Sequence, residues 1–375
     1  MDEIEKLRQQ FAITKTKTFL NHASVSPIPK PVADAIRGYA DETSTSVIAS
    51  FQHEDFGKPF FARLIGAEPA EIATVGNTST GLNIAANAVR CPRGSKVVTT
   101  DLEYASVVYP FLRKNAGVKV HYVKNRDGRI LLDDMEKAVD DKTAAVVISH
   151  VEYAIGFRNN LRVISEIAHE HGACLIVDAI QSAGTMPIDV KRDDVDFLTA
   201  GCYKWLLSMH GAGYLYVKDE LIEKLEPPFV GWASVEPSVF ETDDVWDIRS
   251  MPLSKTACRF EVGSPALVCY RAAAEAMKML LGVGLAKIEG RIMKLTGRLI
   301  NALENAGLKL QTPLEKDCRS GIVNFKFRKP QTLVDKLDKR GIVVSARSNG
   351  VRVSPHFYNT EEEVDRLMKA VRSVA

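Results

Sequence analysis

The stretch CLIVDAIQSAGTMPIDVKRDDVDFLTAGCYKWLLSMHGAGYLYV, residues 174–217, decides the fold. It holds three short apolar runs bounded by Gly or Asp, a pattern typical of buried strands rather than helices. The first run ends on Asp178, and the second leads through a glycine to Lys204. Because α/β sheets gather their ligands at strand ends, this acid and this lysine predict a functional site. A lysine among Tyr, Trp and Gly residues is a candidate nucleophilic amine in a partly dry site.

Composition restricts the class of protein. The chain has 375 residues, enough for two domains, with 46% hydrophobic and 26% charged residues and a net charge of +2. No basic run indicates nucleic acid, and no apolar stretch approaches the ~20 residues that span a bilayer. The six cysteines show no metal-ligand spacing, and the charged N-terminus is unlike a signal peptide. We therefore expect a cytoplasmic protein with reduced thiols and with no nucleic-acid, membrane or metal partner.

Strand and helix patterns alternate along the chain. Roughly seven sheet strands fall between residues 72 and 217, separated by helical patterns, and this alternation predicts a mainly parallel sheet covered on both faces. Proline-rich residues 226–256 predict a long irregular excursion of the kind that is often functional. From residue 308 onward the order β-α-β-β-α predicts a compact second α/β unit.

These patterns divide the chain into three parts. Residues 1–18 are expected to form an N-terminal helix or arm. Residues 19–260 are expected to form the large domain, and residues 261–375 the linking helices and a small C-terminal domain.

The turn GNTST, residues 76–80, lies between a predicted strand and a predicted helix. Free amides and hydroxyls at a helix N-terminus provide a seat for a phosphate group. Ser and Thr are equally favoured there as plain helix caps, so the local sequence leaves both interpretations open.

Four sequence motifs, two of them inside the opening stretch, form a larger pattern: VDAIQSAG (177–184), GCYKWLL (201–207), RFEVGSPA (259–266) and RVSPHFYNTEEEVDRL (352–367). In this order they closely resemble the class V aminotransferases, fold-type I pyridoxal-phosphate enzymes that include cysteine desulfurases and isopenicillin N epimerase. The resemblance runs from about Phe19 to the C-terminus. It implies the type I pyridoxal-phosphate transferase fold, with a mainly parallel seven-stranded sheet in the large domain.

The resemblance gives the opening residues roles toward pyridoxal 5'-phosphate. Lys204 is expected to form a Schiff base with the cofactor aldehyde and then to shuttle protons as general base and acid. Asp178 is expected to keep the pyridine nitrogen protonated, so that the ring accepts carbanion charge. Gln181 is expected to bind the phenolic oxygen. From the residues alone, Lys204 could be a surface lysine, Asp178 an acid capping a turn and Gln181 an exposed loop residue.

Further cofactor contacts follow from the same resemblance. Tyr104 is expected to stack on the pyridine ring, since stacking requires only an aromatic face; a tyrosine at a helix start is otherwise often core packing. Thr78, Ser79 and Tyr203 are expected to bind the phosphate. Ser264 matches a hydroxyl that reaches the phosphate of the neighbouring subunit, which implies a homodimer with the active site at the subunit interface. Ser264 could also be a helix N-cap.

Three residues are expected on the substrate side. Arg352 matches the arginine that clamps the α-carboxylate of an amino acid; without the resemblance, a strand arginine in a salt bridge would be the simpler interpretation. His22 lies in a loop where relatives contact the substrate, although a lone loop histidine commonly faces solvent. Tyr153 stands where desulfurases place an asparagine.

The chain also departs from the desulfurases. They carry a nucleophilic Cys before the carboxylate arginine, but the matching segment here, SARSNGVR (345–352), contains none. Cys318 is poorly placed to replace it, and Cys202 stands where relatives carry a serine and is interpreted as a small packed residue. His169 and His171 close a helix and indicate no metal site.

The sequence therefore predicts a pyridoxal-phosphate enzyme that acts on an amino acid through Lys204, and indicates an aminotransferase. The alternatives are a desulfurase-like C–S lyase or an epimerase with the same cofactor site. From another class, a non-catalytic binding or scaffold protein of the same fold is a further alternative, which the intact set of site residues opposes.

Overall fold

The computed structural model describes residues 3–46, 55–114, 117–236 and 248–373. The predicted excursion at 226–256 therefore lies partly outside the described residues. Where it is described, it holds a short 3₁₀ turn, Trp232–Ser234, and an isolated bridge between Val235 and Leu253.

Helices and strands alternate as the sequence predicts. The helices are α1 Glu3–Arg8, α2 Lys30–Thr45, α3 Lys58–Ile65, α4 Thr78–Ala88, α5 Ala105–Arg113, α6 Leu132–Ala138, α7 Leu161–Glu170, α8 Asp219–Ile222, α9 Leu267–Val283, α10 Leu285–Glu304, α11 Pro330–Asp338 and α12 Glu361–Arg372. The strands are β1 Thr18–Phe19, β2 Ile72–Val75, β3 Lys96–Thr100, β4 Lys119–Val123, β5 Thr143–Ser149, β6 Cys174–Asp178, β7 Phe197–Gly201, β8 Gly213–Val217, β9 Val323–Lys326, β10 Ile342–Val343, β11 Ser345–Arg347 and β12 Gly350–Val353.

A seven-stranded sheet forms the centre of the large domain, in the order β2-β8-β7-β6-β5-β3-β4. Strand β8 runs antiparallel to both of its neighbours, and the other strands pair in parallel. The predicted mainly parallel sheet of seven strands is thus confirmed. Three adjacent members, β8, β7 and the central strand β6, come from the stretch 174–217.

The apolar runs form strands because both faces of the sheet are covered. Successive side chains of a strand point to opposite faces. Accordingly Val98 and Val146 belong to one buried apolar cluster, whereas the adjacent Val97 and Val147 belong to a second cluster on the other face. A strand buried on both faces has no polar side to alternate with, which explains the continuous apolar runs.

The C-terminal part forms its own layer. Strands β11, β12 and β9 make a three-stranded antiparallel sheet, which packs with helices α10, α11 and α12 around a third apolar cluster that includes Leu295, Phe325 and Leu367. Helix α12 begins with a capping box between Thr360 and Glu363. The predicted order β-α-β-β-α is observed with one difference: the predicted strand IVVSAR is divided into β10, which pairs with β1, and β11, which joins the three-stranded sheet.

The N-terminal segment is bound to the C-terminal unit. Strand β1 pairs in parallel with β10, and the guanidinium of Arg8 donates to the carbonyl of Tyr358 and, at 3.0 Å, to the carboxylate of Glu363. The predicted division of the chain at residues 18 and 260 stays a prediction. Within the described ranges, no helix is long and apolar enough to cross a membrane.

Candidate active site

Neighbouring parallel strands bring the polar residues of the site to one edge of the sheet. Ser149 pairs with Asp178, and Asp178 pairs with Thr199 on β7. Strand β7 ends two residues later at Gly201, and the chain then turns and presents Lys204 at the same edge. The predicted pair of acid and lysine is therefore brought together by strand register.

Asp178 is buried at the end of β6 and accepts a hydrogen bond from the N–H of Ile180 at 2.8 Å. Burial raises the pKa of its carboxyl to about 6, against the opposing effects of the Ile180 bond and the charge of Lys204. A buried carboxylate of this kind favours a cationic partner, such as a protonated ring nitrogen.

Lys204 is half-buried, with its Nζ 5.6 Å from the ring centroid of Tyr203. Burial lowers the pKa of its amine to about 8; Asp178 acts in the opposite direction, and the positive charges of Arg352 and Arg347 lower it further. With a pKa near 8, about a tenth of the amine is neutral at pH 7, so it is available as a nucleophile and as a base.

Gln181 is buried and fixed in orientation. Trp205 Nε1 donates to its Oε1 at 2.8 Å, and its Nε2 donates to the backbone carbonyl of Ala23 at 3.0 Å. This bonding makes the amide nitrogen the group that has a second N–H left to donate. The alternative of an exposed loop glutamine is wrong.

The predicted phosphate turn lies at the N-terminus of α4. The cap is Asn77, whose side chain accepts from the N–H of Thr80, and not Thr78 or Ser79. Thr78 is buried and accepts from the N–H of Gly201 at 2.8 Å, which ties α4 to the end of β7. Ser79 donates to Ser106 at 2.8 Å. The first turn of α4 therefore stands at the end of β7, three residues before Lys204 in the chain, where its amides can receive an anion.

Three tyrosines surround the same edge. Tyr104 caps α5 with 51% of its surface exposed, and its ring meets that of Tyr153 edge-to-face at 5.2 Å. Tyr104 is not a core residue, and its open face suits a stacking partner. Tyr203 is half-buried and stacks on His210 with 4.0 Å between centroids.

Arg352 is buried, with 2% exposure, and lies on β12. Its guanidinium donates to the carbonyl of Tyr153 and to the hydroxyl of Ser24, both at 2.6 Å, and to the hydroxyl of Ser345 at 3.3 Å. Burial, together with the charge of Arg347, lowers its pKa to about 9. Among the residues described, no carboxylate pairs with it, so the salt-bridge alternative is wrong. A buried guanidinium held only by neutral acceptors is suited to an incoming carboxylate.

His22 does not occupy the predicted place in the substrate pocket. It is fully buried, its Nδ1 lies 2.9 Å from the carbonyl of Ser354, and its Nε2 lies 2.8 Å from the hydroxyl of Tyr358. Burial lowers its pKa well below the ordinary value, so the ring is neutral and donates through Nδ1. Both nitrogens are thus used within the core. The next two residues face the site instead. The carbonyl of Ala23 accepts from Gln181, and the hydroxyl of Ser24 accepts from Arg352.

Ser264 is exposed, as a residue at a subunit interface would be in one protomer. Helix α9 begins at Leu267 with Ala266 as its N-cap, so Ser264 is not a helix cap. The sequence alone could not separate these two interpretations, because Pro265 suits both.

Two acids that the sequence pattern did not reveal lie behind the site: Glu103, which is partly buried, and Glu152, which is fully buried. Glu103 accepts from the backbone N–H and the hydroxyl of Ser149, at 2.5 and 2.6 Å, and Glu152 accepts from Asn159 and Thr100. Burial raises the pKa of Glu103 to about 8 and that of Glu152 well above its ordinary value, and the charge of Asp178 adds to both shifts. The position of Glu103, directly before Tyr104 at a strand end, was the available signal.

No thiol lies before Arg352. Strands β11 and β12 are joined by Ser348 and Asn349, whose φ values of 48° and 57° make a tight two-residue turn. All six cysteines are free, and Cys202 is buried, with a pKa that burial raises. It packs as predicted.

The two histidines at the end of α7 contact acidic side chains. His169 lies between Asp194 and Asp196, and His171 contacts Asp141. Among the residues that the structure describes, no group of His, Cys, Asp or Glu side chains is arranged to hold a metal ion.

The family model for aminotransferase class-V matches residues 18–367. The chain belongs to the class-V aminotransferase family. It is 32% identical over 363 residues to the uncharacterized aminotransferase YcbU of Bacillus subtilis (strain 168), covering 96% of this chain and 95% of that protein. It is 30% identical over 405 residues to a probable cysteine desulfurase of Pyrococcus abyssi, covering 98% of each.

Solved structures agree with this assignment. An apo cysteine desulfurase from Thermococcus onnurineus NA1 is 28% identical and superposes with a TM-score of 0.89, covering 100% of this chain and 98% of that one. The cystine C–S lyase C-DES is 21% identical with a TM-score of 0.88, over 97% of this chain and 99% of that one, and shows the shared fold. Class-V aminotransferases are pyridoxal-phosphate enzymes, and the chain is an enzyme of this type.

The residues present fit that cofactor. Asp178 offers a buried acid for the ring nitrogen, Lys204 an amine of lowered pKa for the aldehyde, and Tyr104 an open aromatic face. The first turn of α4, beginning at Thr78, offers amides and a hydroxyl for the phosphate.

Proposed function

We propose that this enzyme is an aminotransferase that moves the amino group of an amino acid to a keto acid. The observation that carries the proposal is the hairpin before Arg352. It holds the carboxylate-binding guanidinium in place, but it offers no thiol to take up sulfur from a substrate. The chemistry of the desulfurases in the family is thereby disfavoured, while amino-group chemistry at Lys204 needs no such thiol.

The bound cofactor supplies an aldehyde that captures amino groups and a ring that withdraws electrons from the substrate Cα. Arg352 binds the substrate carboxylate in a fork and so fixes which face of Cα is turned toward Lys204. The amine of Lys204 would take the proton from Cα and deliver it away from that carbon, to the former aldehyde carbon of the cofactor, as transfer of the amino group requires. Asp178 holds its negative charge against the ring nitrogen, and burial keeps water from weakening that interaction.

We further propose a cytoplasmic homodimer whose active sites lie at the subunit interface. Ser264 is exposed next to a patch of exposed apolar side chains, formed by Phe229, Val230, Trp232 and Val262. We call these four residues the apolar patch. Contiguous exposed apolar residues mark interaction sites. Six free thiols suit a reducing compartment.

The test is a panel of amino acids assayed with and without a keto-acid acceptor. Turnover that requires the acceptor supports the proposal. Release of pyruvate with sulfide or a thiol, in the absence of acceptor, would identify a C–S lyase instead. Loss of optical activity alone would identify an epimerase.

A covalent test of the site accompanies the panel. After borohydride reduction, peptide mass spectrometry of the wild-type chain should place the cofactor on Lys204, and Lys204→Ala should carry none. Exposed Lys137→Ala is the matched control and should keep the modification. A wild-type chain that neither holds nor takes up the cofactor would favour a binding or scaffold protein.

A further inference from the structure

The hairpin that carries Arg352 presents a second arginine on the same face. Ser345 pairs directly with Arg352, and Arg347 pairs directly with Gly350. Directly opposed residues of an antiparallel pair point to the same face, as do residues two apart along one strand. Arg347 and Arg352 are therefore diagonal neighbours, about 7–8 Å apart, with their Cβ atoms somewhat closer.

The backbone of Arg347 is held firmly. Its carbonyl accepts from Asn324 Nδ2 at 3.1 Å, and Asn324 is fully buried. The tight turn at Ser348 and Asn349 follows at once, so the hairpin has no long loop that could move Arg347 away from Arg352.

The side chain of Arg347, in contrast, is exposed and open to a ligand. Its Nη1 donates to the carbonyl of Ala346 at 2.7 Å, and no ion pair joins it to a carboxylate in the described part of the chain. The positive charge of Arg347 lowers the pKa of Lys204 and that of Arg352, so it acts on both cations of the site. Three cations thus stand around the position of the substrate, with Asp178 reserved for the cofactor ring.

We propose that Arg347 binds a negative charge at the far end of the substrate side chain, so that the enzyme prefers amino acids with a second carboxylate. The inference rests on the proposed function, because Arg352 is taken to bind the α-carboxylate. With both ends of a dicarboxylate bound, Cα lies between the two arginines and within reach of Lys204. Amino acids with neutral side chains leave the guanidinium of Arg347 without this partner.

The cofactor phosphate is the other anion that could meet Arg347. The residues proposed for it, from Thr78 at the start of α4, belong to the large sheet. Arg347 instead shares a two-stranded hairpin with the arginine of the substrate site. This placement favours the substrate.

The test uses the purified holoenzyme and two ligands that lack an amino group, glutarate and butyrate, in isothermal titration calorimetry. Wild type should bind glutarate at least tenfold more tightly than butyrate, because glutarate makes a second charge-assisted contact. Arg347→Met should remove that preference and leave butyrate unchanged. Arg347→Lys should retain part of it. Exposed Arg162→Met, which also removes one positive charge, is the matched control and should behave as wild type.

Equal affinity for the two ligands in wild type would overturn the proposal. So would a loss of affinity for both ligands in Arg347→Met, or a loss of cofactor affinity in that variant, since the latter would assign Arg347 to the phosphate. Borohydride fixation of the cofactor on Lys204 in wild type keeps the two proposals separate. If the wild-type chain is fixed at Lys204 but binds glutarate and butyrate equally, only the assignment of Arg347 fails.

Discussion

At Lys204, burial and two positive charges lower the pKa of the amine, and one negative charge opposes them. Burial and the two arginines lower its pKa to about 8, and Asp178 limits the shift. The neutral form therefore increases as pH rises toward 8, and it is this form that attacks a carbonyl group.

We predict that cofactor attachment to the stripped chain accelerates nearly tenfold per pH unit below pH 7 and levels off above about pH 8. Arg347→Met should move this profile to higher pH, because the variant lacks one of the charges that lower the pKa of Lys204. The measurement is the stopped-flow rate of the absorbance change on mixing with cofactor. Arg162→Met should leave the profile in place, and a profile that stays at the wild-type position in Arg347→Met would contradict the proximity of Arg347 to Lys204.

Glu103 predicts a pH dependence of stability. Its pKa in the folded chain is raised to about 8, whereas an unfolded chain releases this proton near pH 4.3. Between these values the folded state binds more protons, so stability falls as pH rises from about 4 to about 8. Glu103→Gln keeps a donor and an acceptor for Ser149 but does not titrate.

We expect Glu103→Gln to reduce that loss of stability by up to about 5 kcal/mol in the cofactor-free chain, with a residual slope from Glu152. Urea unfolding at several pH values measures it. The exposed Glu136→Gln serves as the control. Parallel pH profiles for wild type and Glu103→Gln would show that Glu103 is already ionised at low pH.

At the scale of elements, the contact between α4 and β7 fixes the phosphate end of the site. Gly81 lies on the face of α4 that meets β7, and a Cβ added there would stand 2.2 Å from Thr199 Oγ1 and 2.8 Å from Thr199 Cβ. Thr199 is buried and its hydroxyl donates to the carbonyl of Tyr214, so it has little freedom to move. The absence of a side chain at Gly81 therefore sets the distance between helix and sheet.

We predict that Gly81→Ala destabilises the chain by about 1–3 kcal/mol, the usual cost of overpacking a core. Gly290→Ala, in α10, is the matched control. A Cβ there meets no heavy atom of the described residues within 4 Å, so this change should stabilise by about 0.5–1 kcal/mol. Denaturant unfolding compares the two variants. Equal effects would mean that α4 can shift away from β7 without cost.

At the scale of the whole molecule, the apolar patch beside Ser264 is the surface that a second copy would cover. Gly231 packs against Val262, and Trp232 lies against Gly263, so the patch forms one continuous area with the Ser264 loop. Val262 is 48% exposed and lies two residues before Ser264.

We predict that sedimentation of the wild-type chain shows a dimer and that Val262→Asp dissociates it at least tenfold more readily, because the change places a charge in an apolar contact. The variant should also lose cofactor faster, since the hydroxyl of Ser264 from the partner would be withdrawn. Leu314→Asp, at a similarly exposed apolar residue on the C-terminal unit, is the control and should stay dimeric. A wild-type monomer with full cofactor retention would contradict the prediction.

The sequence by itself determined the seven-stranded sheet, the family and the two central residues of the site, Asp178 and Lys204. Apolar runs bounded by Gly and Asp are local signals, and strand ends follow from them, so Asp178 and Lys204 could be placed from pattern and from the words around them. The sequence did not determine the cap of α4, because Asn77, Thr78 and Ser79 all suit an N-cap, and only the backbone conformation selected Asn77.

The tertiary structure decided which side chains face the site. His22 has the right position in the chain, yet Ser354 and Tyr358, more than 300 residues away, bind both of its ring nitrogens in the core. The sequence did not indicate a role for Arg347, because strand register determines that it shares a face with Arg352. Burial and pairing are long-range properties of the folded chain, and they determine pKa values and side-chain directions that local sequence does not contain.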